Sequence, residues 1–388
     1  MHAAASLLLF IIPLVVACGA ILYHLAVTAA ALRFRFQPEP DTGCTPPVSI
    51  LKPVRGMERN FYATLAGYFQ QDYPAYEIVF GLDDAKDPAH WTIAQLRHDF
   101  PNLPVKVVVV GEHRPGHSPT NPKIEKLQHM VAAAAHDVLV ISDADIRVGR
   151  DYLRRVVAPL ADERVGMVTC LYRAGALRTW NSLSEALGIS AGFAGQVLLA
   201  HMLGGIRFGL GATMATRKQQ IARIGGLAPW SDYLADDYIL GNRIAAAGYE
   251  VKLSHRVVET VLPPRTAAET LQQQLRWART LRACSPRGYP GLVFAFGAPL
   301  ALVALAWQPH SALALAVVCC VLIARWSAAW SAGVAVLGDP LVKSYFWLLP
   351  LHDLLSLLIW AASFAGKEVV WRQNRFRLEA DGRIRPVH

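Results

Sequence analysis

The stretch that decides the fold is Val138-Leu-Val-Ile-Ser-Asp-Ala-Asp145. Its first four residues are apolar and mostly β-branched, which predicts a strand buried on both faces, as in a parallel sheet. Asp143 and Asp145 follow where that strand ends, and ligands of open α/β sheets bind beyond the carboxyl ends of the strands. The stretch therefore predicts a ligand site as well as a strand, although an acidic turn would read the same.

Segments of alternating strand and helix character flank this stretch. Strands are predicted at residues 48–51, 76–82, 105–110, 138–142 and 165–171, and helices at 65–71, 91–100 and 124–135. Such βαβα alternation predicts an α/β fold with a Rossmann-like, mostly parallel sheet and helices on both faces. The strands at 76–82 and 138–142 both end in acidic pairs, which we expect at one edge of the sheet.

The composition points to a membrane. Of the 388 residues 17% are charged and 53% hydrophobic, and the mean hydropathy is +0.28. These values exclude a disordered, collagen-like or disulfide-scaffold chain. Residues 1–32 and 288–324 contain no Asp, Glu, Lys or Arg, which predicts a membrane protein with a soluble middle. The six cysteines show no Cys-x-x-Cys pair and no zinc spacing, so we expect reduced thiols.

Residues 6–32 are long enough to span a bilayer, and Arg33 and Arg35 follow at once. The positive-inside rule then orients residue 33 onward to the cytoplasm. Three more spans are predicted at 292–307, 311–330 and 345–365. Three spans would leave the tail outside, whereas its basic residues favour the inside, so either one segment is re-entrant or interfacial or the tail breaks the rule. These basic residues are Lys367, Arg372, Arg375, Arg377, Arg383 and Arg385.

The resulting organisation is an N-terminal transmembrane anchor (1–35), a cytoplasmic α/β domain (36–290), C-terminal transmembrane helices (291–366) and a basic tail (367–388). Residues 186–206 are also uncharged, but their five glycines favour an interfacial or acceptor-binding helix over a span. The positive charge of the middle domain is spread rather than clustered, which suits a lipid surface or phosphates and argues against a nucleic-acid partner.

Several polar motifs have residue types suited to chemistry. Asp143 and Asp145 have the spacing to hold a divalent cation, Mg²⁺ or Mn²⁺, that is bound to a diphosphate. Asp83 and Asp84 end a strong strand and can accept hydrogen bonds from a nucleotide base, although a plain polar turn is an equal alternative. Lys123, at the start of a helix, is a candidate phosphate ligand or a solvated first-turn lysine.

Two later motifs complete the set. Asp236 and Asp237 lie in a partly apolar stretch, where the pKa of a carboxylate can be adjusted for proton abstraction; an acidic pair at a helix N-terminus is the alternative. Gln273-x-x-Arg276-Trp277 falls on one face of a predicted helix just before the membrane. Its arginine can neutralise a diphosphate, although such residues are also common at membrane interfaces.

Taken in order, Asp84, Asp143-Ala-Asp145, Asp237 and Gln273-x-x-Arg276-Trp277 resemble the motif series of inverting family-2-type glycosyltransferases with the GT-A fold. The more specific resemblance is to the ceramide glucosyltransferase family. It is carried by residues 48–56, 87–89, 121–123, 146–148 and 371–378. Within that family, residues 168–173, 211–215, 234–238 and 275–280 are most similar to the bacterial hopanoid-biosynthesis branch.

The resemblance implies a role for each motif. The uridine of a UDP-sugar donor is expected near Pro53, Asp83 and Asp84, with Lys52 as a further substrate-binding residue, and a cation is expected on Asp145 with Asp143 beside it. Asp237 is the expected catalytic base, because the general series has Glu-Asp where this chain has Asp236-Asp237. Gln273, Arg276 and Trp277 would complete the donor site, with Lys123 and Asp236 as further substrate-binding residues.

For the hopanoid branch the expected reaction is inverting transfer of N-acetylglucosamine from UDP-GlcNAc to bacteriohopanetetrol, a hopanoid polyol. The enzyme would be a multi-pass protein of the bacterial inner membrane whose catalytic domain faces the cytoplasm. Ceramide glucosylation from UDP-glucose is the main alternative, since it uses the same machinery. A processive polysaccharide synthase and a non-enzymatic membrane transporter or scaffold are more distant alternatives.

Overall fold

A computed structural model describes residues 2–39, 42–57, 60–111, 121–175, 179–371 and 374–387. Within them the chain forms strands β1–β11: Val48–Pro53, Tyr76–Leu82, Val105–Val109, Val138–Ile141, Ile146–Arg147, Val165–Gly175, Met214–Arg217, Glu250–Val261, Glu368–Trp371, Asn374–Leu378 and Ile384–Pro386. It forms helices α1–α14: His2–Phe36, Phe61–Phe69, Ala89–Asp99, Pro122–Ala133, Tyr152–Val157, Trp180–Leu187, Ala194–Gly204, Lys218–Arg223, Asp236–Ala246, Ala267–Cys284, Gly297–Trp307, Ala312–Ala329, Pro340–Tyr345 and Leu349–Ser363.

Strands β1–β8 form one sheet in the order β3-β2-β1-β4-β7-β6-β8-β5. The pairs β1–β2, β2–β3, β1–β4 and β6–β8 are parallel, whereas β7 runs antiparallel to both β4 and β6, and β5 antiparallel to β8. The predicted α/β fold with a mostly parallel sheet is confirmed. The sequence interpretation missed β7 and β8, because β7 is only four residues long and β8 carries charges throughout.

Both faces of the sheet are covered. Successive residues of a strand point to opposite faces, and in β1 Ile50 packs in one apolar layer while Leu51 packs in the other. Helices α2 and α3 cover the first face, with Leu65 among their buried residues. The second layer includes α4 and also Phe34, at the end of α1. The sheet is therefore joined directly to the first apolar helix.

Five helical segments are long and apolar enough to cross a membrane: Leu9–Phe36, Trp180–Gly204, Tyr289–Trp307, Ala312–Val336 and Pro340–Ser363. The first, third and fourth pack together through small side chains, a common device of membrane helices. Ala17 and Ala298 are buried in one cluster, and a Cβ on Gly19 would lie 2.6 Å from the ring of Phe294. These contacts leave the outer faces of the helices to lipid.

The other two segments each begin and end beside the sheet. Trp180–Gly204 follows β6, and two residues after it Ile206 pairs with Val251 at the start of β8, so it runs back along the sheet. Pro340–Ser363 begins beside Arg173, which donates to the Gly338 carbonyl at 2.6 Å, and ends beside Arg279, which donates to the Ala365 carbonyl at 2.6 Å. Both segments therefore begin and end beside the sheet, and the tail that follows lies on the same side.

The tail is folded. Strands β9, β10 and β11 form a small antiparallel sheet that packs against the loop before α9. Its buried side chains are Val369, Phe376, Leu378 and Ile384, which pack on Leu234. Arg372, one of the basic residues named above, lies outside the described residues. The basic tail is thus part of the domain rather than a free extension.

Candidate active site

The carboxyl ends of β1 and β4 lie side by side, and the Ser142 N–H donates to the Leu51 carbonyl at 3.1 Å. Lys52, in β1, is fully buried beneath this edge. Its Nζ donates to the Asp143 carbonyl and lies 4.0 Å from the centre of the Tyr68 ring. Lys52 therefore supports the Asp-x-Asp turn from behind, and it is not among the residues that line the cavity described below.

Burial lowers the pKa of Lys52 to about 7, although the charges of Asp145 and Asp143 oppose that shift. Burial removes the hydration of an ammonium group, and without a carboxylate partner to compensate, the charged form becomes less stable. Lys52 thus contributes a hydrogen bond to the backbone of the turn. We expect its role to be structural support rather than the substrate contact predicted from the sequence.

Lys123 links the two acidic motifs. Its Nζ lies 2.7 Å from Asp143 Oδ1 and 2.9 Å from Asp236 Oδ2. Asn121 caps the helix that carries Lys123, since its side chain accepts from the Lys123 N–H at 3.0 Å. Burial alone would lower the pKa of Lys123, but the charges of Asp143, Asp236 and Asp237 raise it above its ordinary value. Lys123 therefore stays charged and holds the carboxylates together.

Asp237 is oriented by two backbone donors. Its Oδ2 accepts from the Gly211 N–H at 2.7 Å and its Oδ1 from the Tyr238 N–H at 2.8 Å. A Cβ added to Gly211 would lie 2.7 Å from Asp143 Oδ2 and 3.4 Å from Asp237 Oδ2. Gly211 is thus the point where the two carboxylates converge, and any side chain there would strike Asp143. The sequence interpretation did not single out Gly211 as a site residue.

Burial raises the pKa of Asp237 to about 6, and the charge of Asp236 adds to the rise. Lys123 and the Tyr238 N–H act in the opposite direction. A carboxylate with a pKa near the working pH is a better proton acceptor than one with an ordinary pKa. The environment of Asp237 therefore suits a general base.

Asp145 lies on the next turn of the chain, where its Oδ2 accepts from Thr260 Oγ1 at 3.0 Å. Among the described residues, no three His, Cys, Asp or Glu side chains gather closely enough to hold a metal by themselves. Two neighbouring carboxylates nevertheless supply the oxygen ligands that a hard cation prefers, and such a cation takes its other ligands from water and substrate phosphates. The donor chemistry of Asp143 and Asp145 is therefore compatible with Mg²⁺ or Mn²⁺.

The Gln273-x-x-Arg276-Trp277 motif lies on α10 as predicted. Gln273 Oε1 accepts from Arg276 Nη2 at 3.0 Å, which orients the guanidinium. Arg276 and Trp277 both line the cavity, whereas Gln273 does not line it and contacts Arg276 from behind. Gln274, the next residue, lines the cavity although the sequence interpretation did not select it.

The acidic pair after β2 is arranged differently from the others. Asp83 pairs with Lys126 at 3.0 Å, at the edge that also holds Pro53. Asp84 accepts from the Lys86 N–H at 2.9 Å within its own turn. Pro53 lines the cavity, but Asp83 and Asp84 do not. The structure therefore brings Asp143, Asp145, Asp236 and Asp237 together and leaves Asp84 outside that group.

A single cavity of about 870 Å³ connects this edge of the sheet with the apolar helices. At one end it is lined by the carboxylates of Asp143, Asp145 and Asp237, together with Lys123. At the other end the lining residues come from α1, α12 and α14: Tyr23, His24, Val27, Arg325, Ala328, His352, Asp353, Ser356, Ile359 and Trp360. Charged side chains at the edge of the sheet and the apolar helices thus line one space.

The tail contributes to the site in a way that the sequence interpretation missed. Ile384 donates its N–H to the Asp232 carbonyl at 2.7 Å, and Arg383 Nε donates to Tyr233 Oη at 3.2 Å. The Tyr233 carbonyl in turn accepts from the Asn121 side chain at 2.9 Å. Trp371, in β9, lines the cavity. The alternation of arginine and apolar residues in β10 was the available signal for a half-buried strand.

Sequence comparison assigns the chain to a family. Its residues 9–384 match Glycosyl transferase family 21. The chain belongs to this family. Ceramide glucosyltransferase 1 of Caenorhabditis elegans is 22% identical over 368 residues, which cover 91% of this chain and 76% of the relative. Ceramide glucosyltransferase 3 of the same organism is 23% identical over 396 residues, covering 95% and 80%. The predicted resemblance is confirmed for the family, and the hopanoid branch stays a prediction.

A solved structure shares the fold of this family 21 glycosyltransferase. A mannosyltransferase from Pyrobaculum calidifontis, in complex with GDP-Man and Mn²⁺, superposes with a TM-score of 0.52 at 20% identity. The match covers 91% of this chain and 99% of that one. Similarity at this level shows the fold alone, and it confirms the predicted GT-A-type architecture with apolar helices at the ends.

Proposed function

We propose that this family 21 glycosyltransferase transfers a hexose from a UDP-sugar to a hydroxyl group of a membrane lipid, with inversion at the anomeric carbon. The observation that carries the proposal is the continuous cavity between the carboxylates at the edge of the sheet and the apolar helices. A sugar nucleotide fits the polar end, and a lipid chain requires the apolar end. Each end alone would be compatible with many functions.

The proposed step involves one bond made and one broken. The acceptor hydroxyl oxygen attacks the anomeric carbon, the bond from that carbon to the diphosphate oxygen breaks, and UDP leaves with the electron pair. Asp237 takes the hydroxyl proton, for which its raised pKa of about 6 is suited. One base and one direct displacement give a β-linked product from an α-linked donor.

The remaining residues would serve the donor. Arg276, oriented by Gln273, would neutralise the departing diphosphate, and Trp277 would pack on the sugar or the nucleotide. Asp143 and Asp145 would hold a divalent cation, whose chemistry when bound is to neutralise phosphate charge. Lys123 and Asp236 would fix the position of Asp143. Pro53, Asp83 and Asp84 remain the proposed surroundings of the uridine.

Two combinations of sugar donor and lipid acceptor are candidates for the reaction. The relatives are ceramide glucosyltransferases, which favours UDP-glucose and ceramide. The second pair, UDP-GlcNAc and bacteriohopanetetrol, is favoured by the motifs at residues 168–173, 211–215, 234–238 and 275–280. We propose the bacterial inner membrane as the location, with the catalytic domain in the cytoplasm, because Arg33 and Arg35 follow the first span.

The proposal is tested with the purified full chain in nanodiscs. Radiolabelled UDP-glucose and UDP-GlcNAc are each offered with ceramide and with bacteriohopanetetrol, with Mg²⁺, with Mn²⁺ or with EDTA. We expect one glycolipid whose formation needs a cation, and its anomeric configuration by NMR should be β. Mass spectrometry of the product identifies the pair. Polymer in place of glycolipid, or no transfer from either donor to either lipid, would refute the proposal.

A further inference from the structure

The apolar end of the cavity contains a buried ion pair. Arg325, in α12, donates from Nε to Asp353 Oδ2 at 2.8 Å and from Nη2 to Asp353 Oδ1 at 2.9 Å. Its Nη1 donates to the Ala191 carbonyl at 2.9 Å. The two side chains are only 4% and 3% exposed. Both residues nevertheless line the cavity.

A polar neighbour extends this pair along α14. His352 Nδ1 lies 3.2 Å from Ser184 Oγ, and His352 Nε2 lies 3.2 Å from Ser356 Oγ. His352 and Ser356 both line the cavity. We call Arg325, Asp353, His352 and Ser356 the polar cluster.

Stability does not account for this cluster. A buried ion pair contributes little net stability, since the loss of hydration offsets the attraction, and apolar residues of similar volume often replace it without loss. Ionisable residues within membrane helices are costly and generally mark a functional site. The polar cluster lies on two of the apolar helices, α12 and α14, and it opens onto the space proposed for the acceptor.

The chemistry of the cluster selects the kind of ligand. One guanidinium balances one carboxylate, so the cluster offers no net charge to an anionic headgroup. An arginine has five N–H donors, and the bonds described above use three of them; each carboxylate oxygen also keeps a lone pair. Remaining donors and acceptors side by side match a hydroxyl or an amide, which both donates and accepts.

We propose that the polar cluster binds a second, uncharged polar group of the lipid acceptor, an amide or a hydroxyl separate from the one that receives the sugar. This inference rests on the proposed function. Binding at two points would set how deep the lipid lies in the cavity and so align the reacting hydroxyl with Asp237. Lipids with a single hydroxyl would then be poor acceptors, and anionic phospholipids would be excluded.

The test compares two acceptors in the full chain in nanodiscs. The first is whichever of ceramide and bacteriohopanetetrol the wild type uses, and the second is 1-octadecanol, which has a hydroxyl and no second polar group. The variants are the apolar pair Arg325→Met/Asp353→Leu and, as a smaller change, His352→Leu. Ser311→Ala, a helix N-cap outside the cavity, is the control.

We expect the wild type to prefer the polar lipid over 1-octadecanol by at least about tenfold in kcat/KM, the scale of one hydrogen bond to a charged group. Both cluster variants should raise the KM for the polar lipid about tenfold and leave the KM for the UDP-sugar and for 1-octadecanol unchanged. An unaltered preference in a folded variant, or an equal loss for both acceptors, would overturn the inference. If the wild type glycosylates no lipid, the proposed function itself fails.

Discussion

The two ends of the cavity differ in their balance of positive and negative side chains. At the edge of the sheet, Lys123 faces Asp143, Asp236 and Asp237, so carboxylates outnumber the ammonium. At the apolar end, one arginine is matched by one aspartate. Surplus carboxylates can take up a cation or a proton during a reaction, whereas a matched ion pair offers hydrogen bonds without net charge. From this difference we propose that the first end carries the chemistry and that the second recognises the lipid.

The largest effect is expected from Asp237→Asn. The amide oxygen can still accept from the Gly211 N–H, but the amide nitrogen cannot accept from the Tyr238 N–H, and the proton acceptor is lost. We expect kcat to fall by at least about a thousandfold, within the range for general bases, with the affinity for the UDP-sugar unchanged by calorimetry. Retained transfer would remove Asp237 from the role of base.

Gly211→Ala tests whether the two carboxylates must converge. The new methyl group would lie 2.7 Å from Asp143 Oδ2, so Asp143 has to shift. We expect a loss of about tenfold to a hundredfold in kcat/KM, the scale on which a misplacement of about 1 Å acts. Gly204→Ala is the matched control, because nothing lies within 4 Å of its Cβ. Equal activities in the two variants would contradict the convergence.

The pH dependence follows from the pKa of Asp237, which burial raises to about 6. A base works only when deprotonated, so kcat/KM should fall about tenfold per pH unit below that value and level off above it. A group that must be protonated would instead make kcat/KM fall as the pH rises above its pKa. Profiles of transfer rate at constant ionic strength check this, and a flat profile between about pH 5 and pH 7 would contradict the assignment.

The smallest effect is expected from the tail. Arg383→Ala removes the hydrogen bond to Tyr233 and loosens the loop that leads to Asp236. Because the contact acts through the loop, we expect kcat to fall by about threefold to tenfold with little change in thermal stability. Arg383→Lys should restore part of the activity. Arg385→Ala, whose side chain is 76% exposed, is the control and should behave as wild type.

The local pattern of apolar and polar residues predicted the strands in the first half of the domain well. The strand at residues 76–82 agrees with β2 because an unbroken apolar, β-rich run is a strong local signal. Pairing is not local, so neither the antiparallel insertion of β7 nor the docking of the tail followed from the sequence. The sequence left open a re-entrant or interfacial segment and favoured an interfacial helix at residues 186–206, but it did not identify Pro340–Ser363 as a segment that begins and ends beside the sheet.

The candidate site shows the same division. Asp143, Asp145 and Asp237 were predicted from their residue types, and they do line one cavity. Lys52 was assigned to substrate, but it lies behind the site because an inward-facing position of a central strand is buried whatever its side chain. Gly211 was missed, because the sequence does not show that two carboxylates lie so close to this residue that no side chain fits there.

The central claim is that one continuous cavity brings the lipid to the sugar, and Gly192→Phe tests it most directly. Gly192 lines the cavity and nothing lies within 4 Å of its Cβ, so a phenyl ring there would enter the space between the two ends. Gly204→Phe, on the same apolar segment and outside the cavity, is the control. The account predicts that Gly192→Phe abolishes glycolipid formation while binding of the UDP-sugar stays as in wild type. Undiminished transfer to lipid by the folded variant would contradict it.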